Sequence, residues 1–278
     1  MRIKQLSNGV SIPEIGLGVY KMTNKVETIE AITTALEVGY RAIDTASFYK
    51  NEKEVGEAIK ASNVKRDDIF ITTKVWNDNQ GYDETLKAFD RSLELMQLDY
   101  IDLYLTHWPV PDKYTDTYRA IERLYEEKLI RVPGVSNHHE KHLLELEKTA
   151  NVMPLVNQIE IHPYLQQTSL VDFCQNKGIT LTSWSPLGRG KLLSDEVIKE
   201  IAKKYKKTPA QIILRWHLDR GITTIPKSVR PSRIKENYNI FDFKLCEVDM
   251  KKIAMLERNG RTGANPEKPD FMKHFEGI

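Results

Sequence analysis

Apolar residues recur along this chain in two alternating rhythms. Short runs such as Ile-Phe-Ile-Thr-Thr at 69–73 and Tyr-Ile-Asp-Leu-Tyr-Leu-Thr at 100–106 are rich in β-branched and aromatic residues, and they are too short to be helices. Between such runs the apolar positions fall at helical spacing, as with Ile29, Ile32, Ala35 and Leu36 ahead of the stop at Gly39. The spacing predicts a hairpin over 3–12 around Ser7-Asn8-Gly9, then a strand at 15–19 and a helix from 25. Further strands are expected at 40–43, 68–74, 100–106, 130–135, 155–159, 179–183 and 222–225. Helices are expected at 52–61, 83–95, 117–127, 140–148, 169–176, 195–205, 209–219 and 232–238. About eight strand-then-helix units imply a parallel sheet with right-handed crossovers. With no linker and no break in composition, one closed α/β barrel, (β/α)8, over 1–278 is favoured over an open doubly wound sheet. The tail from 261 is rich in Gly, Pro and charge and is expected to wrap the surface or a rim.

Composition narrows the classes of function. The chain has 278 residues, 40% hydrophobic and 29% charged, with 41 basic and 39 acidic side chains and a net charge of +2. That balance gives no reason to expect nucleic acid or an anionic membrane as a partner. No run approaches a membrane span, and no secretory signal is visible at the N-terminus. The two cysteines, Cys174 and Cys246, fit neither a disulfide framework nor a zinc pattern, so a reducing cytoplasm is the expected compartment.

The strand ends carry the candidate chemistry, because barrel enzymes build their sites there. They present Asp44 with Tyr49 just after, Lys74, His107, Ser136-Asn137, Gln158 with Glu160, Trp184, and Lys227-Ser228. A phenol titrates too high to serve alone near neutrality. An adjacent ammonium stabilises its phenolate and lowers that value, a carboxylate fixes the ammonium, and a histidine can orient a carbonyl oxygen. Asp44, Tyr49, Lys74 and His107 could therefore protonate a carbonyl oxygen while hydride reaches its carbon. The plainer alternatives are a buried Asp44–Lys74 ion pair and a core histidine bonded to backbone. Lys227, Arg230 and Arg233, with Ser228 between, could hold a phosphate dianion or form a solvated basic turn.

These stretches resemble the aldo-keto reductase superfamily. The matching motifs are Ile12-Pro-Glu-Ile-Gly-Leu-Gly18, Ala42-Ile-Asp-Thr-Ala46 with Tyr49 and Asn51-Glu52, Thr73-Lys-Val-Trp-Asn77 and Leu105-Thr-His-Trp-Pro109. Gly134-Val-Ser-Asn137, Asn157-Gln-Ile-Glu160, Ser185-Pro-Leu-Gly188 and Ile225-Pro-Lys-Ser-Val229 with Arg233, Glu236 and Asn237 complete the series. The resemblance implies a barrel that reduces aldehydes and ketones with NADPH and without metal. Tyr49 would be the proton donor, Asp44 and Lys74 its charged supports, and His107 the residue orienting the substrate. It implies Ser136, Asn137 and Gln158 at the nicotinamide carboxamide, Trp184 stacked on the ring, and Ser185, Pro186 and Leu187 at the pyrophosphate. Lys227, Ser228 and Arg233 would contact the 2′-phosphate, and Glu236 and Asn237 the adenine. By analogy the substrate walls are Tyr20, Trp76 and Trp108, with Phe48. The pattern is nearest to bacterial glyoxal, methylglyoxal and diketogluconate reductases, for which a monomer acting on small carbonyls is expected.

Three departures stand out. His138 replaces an aromatic after Ser-Asn, Pro133 an aliphatic residue, and Trp184 a frequent tyrosine. The last segment is short, which suggests an open pocket. Gly16-Leu-Gly18 lacks the third glycine of a dinucleotide fingerprint, and Gly188-Arg-Gly190-Lys191 departs from a phosphate loop. His138, His139 and His142 read as a surface cluster and not as a metal site. Two other classes of function stay open on sequence: a non-catalytic NADPH-binding barrel, and a Schiff-base enzyme using Lys74.

Overall fold

The computed structural model describes residues 2–268 and 270–275. The hairpin is present as β1 (Ile3–Gln5) and β2 (Ser11–Pro13), paired antiparallel. Gly9 takes a left-handed φ of 83° in its turn, which a glycine adopts without steric cost. After β3 (Leu17–Gly18) and α1 (Lys25–Val38) the chain alternates through β4 (Ala42–Asp44), α2 (Glu52–Ala61), β5 (Phe70–Val75) and α3 (Tyr82–Met96). It continues with β6 (Ile101–Thr106), α4 (Tyr114–Glu126), β7 (Ile130–Ser136), α5 (Glu140–Glu147), β8 (Val156–Glu160) and α6 (Thr168–Asn176). The last units are β9 (Thr180–Trp184), α7 (Glu196–Tyr205), α8 (Pro209–Asp219), β10 (Thr223–Thr224) and α9 (Pro231–Tyr238), followed by α10 (Glu247–Ala254), which the sequence pattern did not reveal.

The eight strands β3 to β10 run parallel in chain order. A parallel bridge from Ile15 to Thr224 closes the ring. The seam is held by Gly16 N–H to Thr224 O at 2.9 Å, Thr224 N–H to Glu14 O at 3.0 Å and Gly18 N–H to Pro226 O at 3.2 Å. The backbones come close here. A Cβ on Gly18 would lie 2.8 Å from the Ile225 carbonyl oxygen, so this position requires glycine.

Alternation along each strand sorts its side chains. Ala42, Phe70, Leu103, Leu105, Val132 and Val156 fill the lower interior and pack with Leu6 and Ile12 from the hairpin. A two-stranded hairpin is marginal alone, and here its apolar face plugs the barrel floor. The outward residues pack against the helices, as Tyr104 does edge-on to Phe89 of α3 at 5.0 Å. Pro133 is accommodated because its carbonyl accepts from Leu155 N–H at 3.0 Å, so its missing donor points to the same side, before β8 begins at Val156.

The three histidines after β7 correct an expectation. His138, His139 and His142 are buried and do not form a surface cluster. The short connection from β7 turns the start of α5 inward against Tyr114 of α4, whose ring meets both His138 and His142 edge-on. His138 Nδ1 lies 2.9 Å from Ser136 O, and His142 Nδ1 accepts from His139 N–H at 3.0 Å. Burial pushes the His138 imidazole down to about 3, so it is neutral. Among the described residues no group of three His, Cys, Asp or Glu is arranged to hold a metal ion, and no helix is long and apolar enough to cross a membrane.

Candidate active site

Each inward column that begins in apolar residues ends in a polar one. On β5 Phe70 is followed four residues on by Lys74, on β6 Leu103 and Leu105 are followed by His107, and on β7 and β8 the columns end at Ser136 and Gln158. They meet at a cleft of about 460 Å³ lined by Asp44, Tyr49, His107, Ser136, Asn137, Gln158, Trp184, Ser185, Pro186, Leu187 and Lys227. Tyr20, Phe48, Trp76 and Trp108 form its aromatic side. Phe48 stacks on Trp76 with centroids 3.8 Å apart, and Tyr20 lies 4.9 Å from Tyr49.

Tyr49 ends a 3-10 turn, Ser47–Tyr49, directly after β4. Asn51 fixes this loop, its Nδ2 donating to Val19 O at 2.9 Å and Met22 O at 3.2 Å while its Oδ1 accepts from Thr45 Oγ1 at 2.7 Å. Ser47 Oγ adds a bond to Lys74 O at 3.0 Å. The phenol is thereby brought over the end of β5, with Tyr49 Oη 3.5 Å from Lys74 Nζ.

Lys74 is fully buried and donates to Asp44 Oδ1 at 2.6 Å and Thr45 O at 2.7 Å. Gln158 Nε2 donates to the other Asp44 oxygen at 2.6 Å. Burial pushes the Asp44 carboxyl up and the Lys74 ammonium down, while their mutual attraction opposes both shifts. The ion pair of the plainer reading is thus present, and it backs directly onto Tyr49. The Lys74 amine is buried and already engaged by Asp44 and Thr45, which speaks against the Schiff-base alternative.

The expectation that Lys74 lowers the Tyr49 pKa is not met in the free protein. Burial, then the charge of Asp44, holds the phenol well above its ordinary value. The phenol therefore keeps its proton in the free protein. His107 is pushed well below its ordinary value by burial and then by Lys74, so it is a neutral imidazole. Its ring stands edge-on to Tyr49 at 5.8 Å and to Trp76 at 5.0 Å. Its Nδ1 has no partner among the described residues, so it is not a core histidine bonded to backbone.

Toward the far end the cleft changes character. Lys21, Arg189 and Lys227 bring cations to it, with Gly18, Gly190 and Ile225 between. Lys21 was not singled out from sequence, and Gly188-Arg-Gly190-Lys191 was weighed there only as a phosphate loop and set aside. Arg189 and Gly190 hold left-handed φ of 53° and 87°, and the Gly-Arg-Gly string was the available signal. A dinucleotide fits this lining, with amides and an aromatic ring at one end and cations where phosphates would lie. The inner amides are engaged: Asn137 Nδ2 donates to His107 O at 2.9 Å, Ser136 Oγ to Gln158 O at 2.8 Å, and Trp184 Nε1 to Asn137 Oδ1 at 2.8 Å. The indole therefore occupies an acceptor that the resemblance assigned to a carboxamide. Ser228, Arg233, Glu236 and Asn237 do not line the cleft. Ser228 Oγ accepts from Arg230 N–H at 3.1 Å ahead of α9, and Glu236 accepts from Thr208 Oγ1 at 3.0 Å.

The tail also departs from the expected open pocket. Its 3-10 turn Phe271–Phe275 brings Phe271 to 5.8 Å from Trp108 and Phe275 to 5.1 Å from both Trp76 and Trp108. Gly263, Ala264 and Phe275 line the cleft. Sequence gave no periodic signal for this segment.

Comparison with known proteins agrees with this geometry. The sequence model of the Aldo/keto reductase family matches residues 14–258. Glyoxal reductase of Bacillus subtilis (strain 168) is 53% identical over 264 residues, covering 95% of this chain and 96% of that protein. Methylglyoxal reductase DkgA of Salmonella typhimurium is 47% identical over 270 residues, covering 96% and 97%. Among solved structures, an aldo-keto reductase from a Medee basin deep-sea metagenome library superposes with a TM-score of 0.93 at 45% identity, covering 95% of this chain and 98% of that one. A variant of Gox0644 in complex with NADPH gives a TM-score of 0.92 at 43% identity, covering 96% and 98%. With the family model spanning all eight strands and relatives matched along nearly their whole length, this chain is a member of the aldo/keto reductase family.

Proposed function

We propose that this protein reduces small aldehydes and ketones, including 2-oxoaldehydes, to alcohols with NADPH. The observation that carries the reading is a protonated phenol at the cleft, Tyr49, with the Lys74–Asp44 pair 3.5 Å behind it. NADPH supplies hydride to the carbonyl carbon when bound. Hydride addition leaves charge on the substrate oxygen, and that alkoxide is basic enough to take the Tyr49 proton. As the phenolate forms, Lys74, itself fully buried, is the nearest cation and stabilises it. Neutral His107 can donate an N–H to the same oxygen without carrying charge, which orients the carbonyl. Asp44 and Gln158 keep Lys74 and the end of β5 in place. Ser136, Asn137, Gln158 and Trp184 would hold the nicotinamide, and Ser185, Pro186 and Leu187 the pyrophosphate. Lys227 with Ser228 and Arg233 would hold the 2′-phosphate, and Glu236 and Asn237 the adenine.

The test is Tyr49→Phe. NADPH oxidation with methylglyoxal or a nitrobenzaldehyde should fall by about 10²–10⁴-fold, the usual range for a lost general acid. NADPH binding, followed by its fluorescence, should stay within about twofold. Undiminished turnover in that variant overturns the assignment.

A further inference from the structure

Glu160 ends β8 one step beyond Gln158 and is fully buried, yet it does not line the cleft. Its Oε1 accepts from Thr262 N–H at 2.7 Å and from the Thr262 hydroxyl, and it lies 3.1 Å from His162 Nε2. Its Oε2 accepts from Gly263 N–H at 3.1 Å, and the nearest guanidinium, that of Arg261, is 3.9 Å away. A buried carboxylate normally finds a cation or a metal. This one is satisfied mainly by backbone and hydroxyl donors of the tail. Burial raises its pKa, and the hydrogen bonds from His162, then Thr262 and Gly263, together outweigh burial and hold it below the ordinary value.

The segment after β8 is built as a dock for the same strap. Tyr164 O accepts from Gly260 N–H at 2.7 Å, Gln167 Oε1 accepts from Arg261 at 3.1 Å, and Gln167 Nε2 returns to Glu160 O at 2.6 Å. Farther along, Glu267 bonds His139 at 3.0 Å. Between these anchors lie Gly263 and Ala264, which face the cleft, and beyond them Phe271 and Phe275 reach the tryptophans.

We propose that Glu160 is a positioning residue for the carbonyl substrate, latching the strap at Thr262 and Gly263 so that Ala264 and Phe275 close the aromatic side of the cleft against Trp108 and Trp76. The inference rests on the reductase reading, since it assigns the aromatic side to the substrate. Glu160 touches neither substrate nor cofactor and acts only through the strap. Its carboxylate is suited to this because only a group with four acceptor sites and no donor can take three tail donors at once. A glutamine of the same size turns an N–H₂ toward one of them.

Glu160→Gln in the full chain should raise KM for a nitrobenzaldehyde about tenfold, leave kcat within about twofold and leave NADPH affinity within about twofold. Thr262→Val, which removes one donor, should give a smaller rise in the same direction and remains informative if the first variant folds poorly. In a Phe275→Ala background Glu160→Gln should add little to KM, because both act on one wall. An unchanged KM in folded Glu160→Gln, additive effects with Phe275→Ala, or equal losses in kcat and NADPH affinity would each overturn the proposal. Should the wild-type protein oxidise no NADPH with any carbonyl, the reductase reading fails separately. The latch is then judged by aromatic-aldehyde binding through tryptophan quenching, where Glu160→Gln must weaken binding by the same factor or the proposal falls.

Discussion

Replacing Asp44 by Asn removes the negative charge that faces Lys74 Nζ at 2.6 Å while keeping the shape of the side chain. At an effective dielectric of about 20 the lost attraction is about 6 kcal/mol. The protein need not bear that whole loss, because Lys74 can release its proton. Taking a lysine from an unfolded-state pKa of about 10.4 to the neutral form costs about 4.6 kcal/mol at pH 7 and about 1.9 kcal/mol at pH 9. The destabilisation at pH 7 is therefore capped near 4–5 kcal/mol, in line with the roughly 3–5 kcal/mol found when one partner of a buried pair is removed. The sign follows from proton counting. In the variant the folded state holds a neutral Lys74 and the unfolded state a charged one, so the unfolded state binds more protons and stability rises with pH up to about 10.4. Urea unfolding of wild type and Asp44→Asn at pH 7 and pH 9 measures this directly. The gap between them should narrow by about 2–3 kcal/mol. A gap that is the same at both pH values, or below about 1 kcal/mol at pH 7, refutes the reasoning. The same variant should lose about 10²–10³-fold in kcat, since a neutral Lys74 cannot support the phenolate.

Three further outcomes follow. His217 is fully buried between Ile213 O at 2.8 Å and Ile161 O at 2.9 Å, and burial holds it down at about 4. Its folded pKa lies below the unfolded value, so stability is lost as pH falls from about 6.5 toward 4; urea midpoints should show a loss of about 2 kcal/mol from this group by pH 5, and a flat profile would contradict it. A Cβ on Gly56 of α2 would lie 2.2 Å from Met96 O, so Gly56→Ala should destabilise by about 1–3 kcal/mol despite alanine's better helix propensity, which thermal unfolding would register. Because His107 is held neutral, kcat/KM should show no acid limb between pH 6 and 8, and a pH–rate profile with an inflection near 6.5 would count against that.

Strand and helix order were legible because each element has its own period and each turn its own chemistry, as at Ser7-Asn8-Gly9 and Gly39. The convergence of Asp44, Lys74 and His107 was legible for a related reason: a polar residue at the end of an apolar column is visible in one dimension. What escaped depends on contacts between distant segments. Lys21 and Arg189 face the cleft because their loops take left-handed backbone, and Phe275 does so because Glu160 and His139 anchor the tail. The three histidines were misplaced because an imidazole is half apolar, so spacing alone cannot say whether its helix face is wet. The Tyr49 pKa went the other way because burial of the phenol, which spacing does not show, dominates, with the charge of Asp44 acting in the same direction.

The seam between β3 and β10 bears on how the molecule is made. Every other pair of neighbouring strands is separated only by its own crossover, and these two are joined across most of the chain. During synthesis the hairpin and β3 emerge first and wait with one unpaired edge until β10 is complete. Until that moment β9 or β10 is also an open edge, which is the kind of surface that pairs wrongly with another chain. The seam has few ladder bonds on each side, and contacts so remote in sequence form slowly. The late, rate-setting event in folding should therefore be ring closure at Gly16 and Gly18, where the absence of side chains lets Thr224 and Pro226 dock.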